Sequence, residues 1–198
     1  MSTSELFNAE RYLVRRKVFK LAGGAFHVYD PQGAVVAYSE QKAFKLKEDI
    51  RVFADEAKTR ELLIIQARQI IDFSAAYDVT DAMTGEKVGA LQRRGGRSIL
   101  RDEWAILDAS DTPVGTIIED SMGYALIRRL LTNLVPQKYD VFFPDATTGQ
   151  KIANMDQQFN PFVYKLDVDL STDAEKRFDR RLAISAAILL AAVEGRQN

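Results

Sequence analysis

A chain of 198 residues, 46% hydrophobic and 28% charged, has an ordinary globular composition and is long enough for one sizeable core, so a single domain spanning 1–198 is expected. Its 27 Lys and Arg against 28 Asp and Glu leave a formal net charge of -1, which excludes a global pull toward nucleic acid and makes any polyanion site a local patch. The absence of cysteine excludes disulfide staples, thiol catalysis and thiolate metal sites, and fits a cytoplasmic protein.

From the N-terminus, "MSTSELFNAERY" carries charges and no apolar core, so a secretory signal is not expected. The chain then reads as short strands in brief alternating or β-branched runs, beginning with "RYLVRRKVFKL", "AFHVYD" and "AVVAYS". "AFKL", "IRVFA", "LLIIQAR", "FSAAYDVTD", "KVGALQR", "SILR", "EWAILD", "PVGTIIED", "KYDVFFP", "KIANMD" and "FVYKLDVDL" continue the pattern. Turn chemistry separates them, including "AGG", "DPQG", "TGEK", "RGGR" and "TTGQK". Trp104 falls on strand alternation and reads as a core residue.

An imperfect repeat runs through "HVYDPQGAVVAY", "YDVTDAMTGEKVGAL", "WAILDASDTPVGTI" and "YDVFFPDATTGQKIANM": a strand, an acidic turn and a second strand. Each predicts a β-hairpin. A meander of hairpins must form a sandwich or close into a barrel to dispose of its edges.

Two stretches break the pattern. Residues 121–136 place Leu126, Leu130, Leu131 and Leu134 at helical spacing before Pro136, which predicts a short helix packed on the barrel. The C-terminal stretch predicts a helix over 173–194, with Thr172 as cap and Glu175 as capping-box partner. Its second half, "LAISAAILLAAV", is apolar around the whole circumference and therefore needs surroundings on every side. It is shorter than the ~20 apolar residues of a spanning helix, so the expected surroundings are protein and no transmembrane segment is expected. Its many alanines make a narrow cylinder suited to the inside of a closed sheet.

"YLVRRKVFKLAGGAFHVYDPQG", "QKAFKLKEDIRVFADE", "YDVTDAMTGEKVGALQRRGGRSILRDEWAILD", "PQKYDVFF" and "DRRLAISAAILLAAVEGRQ" together resemble the LURP-one-related family, within the tubby C-terminal-like and scramblase-like superfamily. The resemblance covers nearly the whole chain. It implies a mainly-β closed antiparallel barrel of about twelve strands enclosing a hydrophobic C-terminal α-helix, and a link to membrane lipids. The cysteine-rich segments of scramblase-like members have no counterpart here, so lipid transport is not expected.

Candidate chemistry is sparse. His27 is the single histidine, without the partners a triad or metal cluster needs, and reads as a structural strand residue. Asp167, Asp169, Asp173 and Glu175 lack the glycine and spacing of a calcium loop and read as a strand end and a helix start. "QRRGGRSILR" sets Arg93, Arg94, Arg97 and Arg101 around a Gly-Gly turn, either an anion-binding loop or an ordinary solvated hairpin. Lys45 and Lys47 share one side of a strand, and with Arg15 and Arg16 of "RRK" could extend a basic surface.

No nucleophile, base and orienter assemble, so the expectation is a non-enzymatic module without cofactor or metal. It would bind anionic phospholipid headgroups or another anionic ligand through Arg15, Arg16, Lys45, Lys47, Arg93, Arg94 and Arg97, in the cytoplasm and peripherally at a membrane. The alternative is a protein-interaction or stress-response scaffold with a protein partner and no small-molecule site.

Overall fold

The computed structural model describes residues 3–19, 23–41, 49–68, 76–94, 103–119, 136–160 and 162–194. The helix expected over 121–136, apart from Pro136, and the expected strands "AFKL" and "SILR" lie outside them. A short helix α1 (Thr3–Leu6) precedes β1 (Arg11–Phe19), β2 (Gly23–Tyr29), β3 (Val35–Gln41), β4 (Ile50–Phe53), β5 (Glu61–Ala67) and β6 (Ala76–Asp81). There follow β7 (Lys87–Arg93), β8 (Glu103–Leu107), β9 (Pro113–Glu119), β10 (Lys138–Phe143), β11 (Gln150–Gln157), β12 (Tyr164–Asp169) and the C-terminal helix α2 (Arg180–Glu194).

Each strand pairs antiparallel with its sequence neighbours, and β1 pairs with β12, so twelve strands among the described residues close into a barrel. Closure removes the unpaired edges that the meander would otherwise expose. The four repeats of strand, acidic turn and strand are the β2–β3, β6–β7, β8–β9 and β10–β11 hairpins.

The two rims differ. At one, every hairpin turn opens on an aspartate whose Oδ1 accepts a backbone N–H from farther along the turn: Asp30 from Gln32 and Ala34, Asp55 from Thr59, Asp81 from Met83, Asp108 from Ser110 and Thr112, Asp145 from Thr147 and Thr148. These side chains supply the acceptor that the turn backbone lacks, which is why the acidic residue recurs in the repeat. The opposite rim carries the connections over 19–23, 41–50, 67–76, 93–103, 119–138 and 157–164.

Helix α2 lies inside the barrel. Every residue from Leu182 to Ala192 is buried, Ala183, Ala186, Ala187, Ala191 and Ala192 among them, and inward-facing Phe26, Leu91, Tyr139, Ile152 and Met155 complete the core. Small alanines let the backbone approach the wall. Gly89 of β7 shows how tightly: a Cβ added there would stand 2.4 Å from the Leu107 carbonyl oxygen and 2.9 Å from Leu182 Cδ1. Gly89→Ala is therefore expected to cost about 1–3 kcal/mol in overpacking, read as a lower urea midpoint at unchanged m.

The helix begins later than the capping-box pattern predicts. Asp179 is the cap: its Oδ1 accepts the Arg181 N–H at 2.8 Å and its carbonyl accepts the Ala183 N–H at 2.9 Å. Thr172 instead donates its hydroxyl to the Ile152 carbonyl at 2.6 Å. Asp173 accepts the N–H groups of Arg177 and Phe178 and the Arg180 guanidinium, closing 173–178 into turns with Lys176 at φ 53°. The local capping signal lost to a tertiary use of the same side chains. At this rim Arg181 reaches Asp81 at 3.0 Å, and Asp81 also accepts the Thr3 hydroxyl at 3.1 Å, so one buried carboxylate joins β6, α1 and α2.

Candidate functional site

Alternation along β1 turns Tyr12, Val14 and Arg16 inward and leaves Leu13, Arg15 and Lys17 outward. Arg15 and Arg16, adjacent in sequence, therefore occupy opposite faces of the wall. Arg16 is 7% exposed; its Nη1 lies 3.4 Å from the Ala191 carbonyl and its guanidinium 5.7 Å from the Phe26 ring centroid. A cation there complements the negative end of α2, a structural task that removes Arg16 from any surface patch.

Arg15 stands directly opposite Lys165 of β12 in the ladder, and Lys17 is the next outward residue toward the rim. Like charges placed opposite each other across a ladder are destabilising. Among the described residues no carboxylate pairs with Arg15, Lys17 or Lys165. Asp167, the next outward residue on β12, is held instead by the Gln158 side-chain amide at 2.8 and 3.0 Å.

Several other cations of the wall are paired. Arg11 meets Asp169 at 3.1 Å, Arg51 meets Glu61 at 2.8 Å, and Lys151 meets Asp140 at 2.5 Å. Arg68 and Lys87 share Asp78 and Asp111. Hydrogen bonds from Arg68 hold the Asp78 carboxyl below the ordinary range, and those from Lys87 and Arg68 do the same for Asp111. Against these pairs, Arg15, Lys17 and Lys165 form a cluster of adjacent cations with no carboxylate partner among the described residues.

Arg93 ends β7 and Arg94 follows it at the same rim. Arg94 is exposed but paired with Glu103 at 2.8 Å, and Arg93 sits opposite Trp104 in the ladder. Arg97, Arg101, Lys45 and Lys47 lie outside the described residues; the β3–β4 and β7–β8 connections that carry them leave from and return to this rim. The rim thus brings Arg15 together with Lys17 and Lys165, and turns Arg16 away. Lys165 escaped the sequence reading because its partner is at the far end of the chain; the alternation of "VYKLDVDL" signals an outward lysine and nothing about its neighbour.

The remaining candidates have structural partners. His27 packs against the Tyr29 and Tyr38 rings with Nε2 2.6 Å from Glu56 Oε1. Tyr38 donates to Glu40, which Lys58 also approaches at 2.5 Å; these hydrogen bonds, the Lys58 one foremost, keep the Glu40 carboxyl below its ordinary range. Of the acidic C-terminal set, Asp169 meets Arg11 and Ser171, Asp173 is engaged by Arg180, and Glu175 lies 3.7 Å from Arg177. Among the described residues no group of three or more His, Asp or Glu could hold a metal ion. No helix among them is long and apolar enough to cross a membrane.

Comparison with known proteins agrees with this architecture. The family model described as LURP-one-related matches residues 35–191, from the start of β3 into the last turn of α2. β1, which carries Arg15 and Lys17, and β2 complete the barrel outside that span. A search of the curated proteins gives no match. With most of its length matched and a closed barrel surrounding an apolar C-terminal helix, the chain belongs to the LURP-one-related family.

Proposed function

We propose that this protein is a non-enzymatic binding module for anionic phospholipid headgroups, acting in the cytoplasm and peripherally at a membrane. The observation that carries the reading is the outward trio of Arg15, Lys17 and Lys165, set side by side without a carboxylate partner among the described residues. An uncompensated like-charge cluster costs folding energy, and an anionic ligand repays that cost on binding. Lys45 and Lys47, in the β3–β4 connection, and Arg93, Arg94 and Arg97, at the end of β7 and in the β7–β8 connection on the far side of the ring, are further proposed cations of the same rim. The alternative scaffold reading, with a partner added to an exposed strand edge, loses support because the described strands close on themselves.

Sedimentation with phosphatidylcholine vesicles, with and without phosphatidylserine, tests the proposal. Binding is expected with phosphatidylserine vesicles alone and should weaken as salt screens the surface. A basic residue near an anionic membrane contributes about 1 kcal/mol, so Arg15→Ala, Lys17→Ala and Lys165→Ala combined should weaken binding on the order of 100-fold. Absence of wild-type binding at low salt would sink the reading.

A further inference from the structure

Among the large apolar side chains of the described residues, Phe159 and Phe162 are set apart. They are 64% and 92% exposed. Both sit in the β11–β12 connection, at the rim that carries the cationic trio and immediately before the strand that carries Lys165. The backbone at Phe162 is held: the Asn160 Oδ1 accepts the N–H groups of Phe162 and Val163, both at 3.0 Å. At the base of the connection the Gln158 N–H donates to the Lys165 carbonyl at 3.0 Å, and its side chain grips Asp167. Farther down the same hairpin, Leu166 and Val168 turn into the core.

A turn that lifts two phenylalanines into water, beside three cations without carboxylate partners among the described residues, presents the two chemistries of an anionic bilayer surface. Cations meet the headgroups, and aromatic side chains enter the boundary between headgroups and acyl chains. A soluble polyanion would use the cations and leave the phenylalanines in water. We infer that the β11–β12 connection is a membrane-insertion element, in which Phe159 and Phe162 enter the interface of an anionic bilayer while Arg15, Lys17 and Lys165 hold its headgroups. The inference rests on the proposed lipid-binding reading and specifies how the barrel is oriented: this corner of the rim faces the membrane, and the aspartate turns face away.

The sequence provides a clean reporter. Its single tryptophan, Trp104, is 3% exposed, so Phe162→Trp adds one water-exposed fluorophore to a buried background. On adding phosphatidylcholine–phosphatidylserine vesicles, the variant's emission should move to the blue and be quenched by lipids brominated on their acyl chains. Phosphatidylcholine vesicles alone should change neither signal. Combined Phe159→Ser and Phe162→Ser should leave the thermal midpoint unchanged, because both side chains are exposed, yet weaken vesicle binding at least about tenfold.

The outcomes separate the two ideas. Vesicle binding by Phe162→Trp without blue shift or quenching, or undiminished binding by the double serine variant, overturns insertion and leaves headgroup binding standing. Failure of the wild-type chain to bind phosphatidylserine vesicles at low salt overturns the lipid reading itself, and insertion with it.

Discussion

Ala187→Asp is expected to abolish folding. Ala187 is fully buried at the middle of α2, and its neighbours along the helix, Ile184, Ala186, Ile188 and Leu190, are buried as well. A carboxylate there has neither water nor a cation to meet, and burying an unpaired charge costs several kcal/mol, comparable with the ~5–15 kcal/mol that holds a domain together. Protonating the side chain lowers the cost but still leaves an unsatisfied polar group in a close-packed interior. The variant should appear in the insoluble fraction, or as soluble chain without a cooperative thermal transition. Leu189→Met, a swap of similar volume in the same helix, should cost less than about 1.5 kcal/mol and keep the transition. A cooperative Ala187→Asp transition near the wild-type midpoint would show that the barrel does not depend on the apolar surface of α2.

Asp173→Ala is the second large effect. The Asp173 and Arg180 side chains are 1% and 8% exposed and meet at 2.7 Å. Arg180 also donates to the Phe178 carbonyl at 3.1 Å and the Asp173 carbonyl at 3.3 Å, while the carboxylate accepts the Arg177 and Phe178 N–H groups. Removing the carboxylate orphans a buried guanidinium and two backbone donors at once, which should cost about 3–5 kcal/mol by urea unfolding. Adding Arg180→Met removes the orphaned charge and should recover part of that loss, because an apolar residue of similar length asks for no counter-ion. A loss under about 1 kcal/mol from Asp173→Ala alone would show that this pair does not anchor the entry to α2.

Legibility in the sequence followed the range of the interaction. The hairpins were legible because an aspartate such as Asp30 or Asp108 binds N–H groups two and four residues away, within one turn. The start of α2 was misplaced for the opposite reason: Thr172 and Asp173 carry a local capping pattern, but Ile152 and Arg180 claim those side chains across the fold. Arg15 and Arg16 show the limit at its sharpest. Adjacent in the chain, they look like one basic patch, yet strand alternation sends one to the outer wall and the other to the end of the central helix.

The sequence alone determined a barrel enclosing its own C-terminal helix, because a segment apolar on every side and too short for a bilayer has to be surrounded by protein, and short alternating strands are what surround it. Only the tertiary structure decided which charges stand together. Arg15 and Lys165 become neighbours when the first strand closes on the last, and that contact depends on register across almost the whole chain. Charge type is a property of each residue, whereas charge clustering is a property of closure.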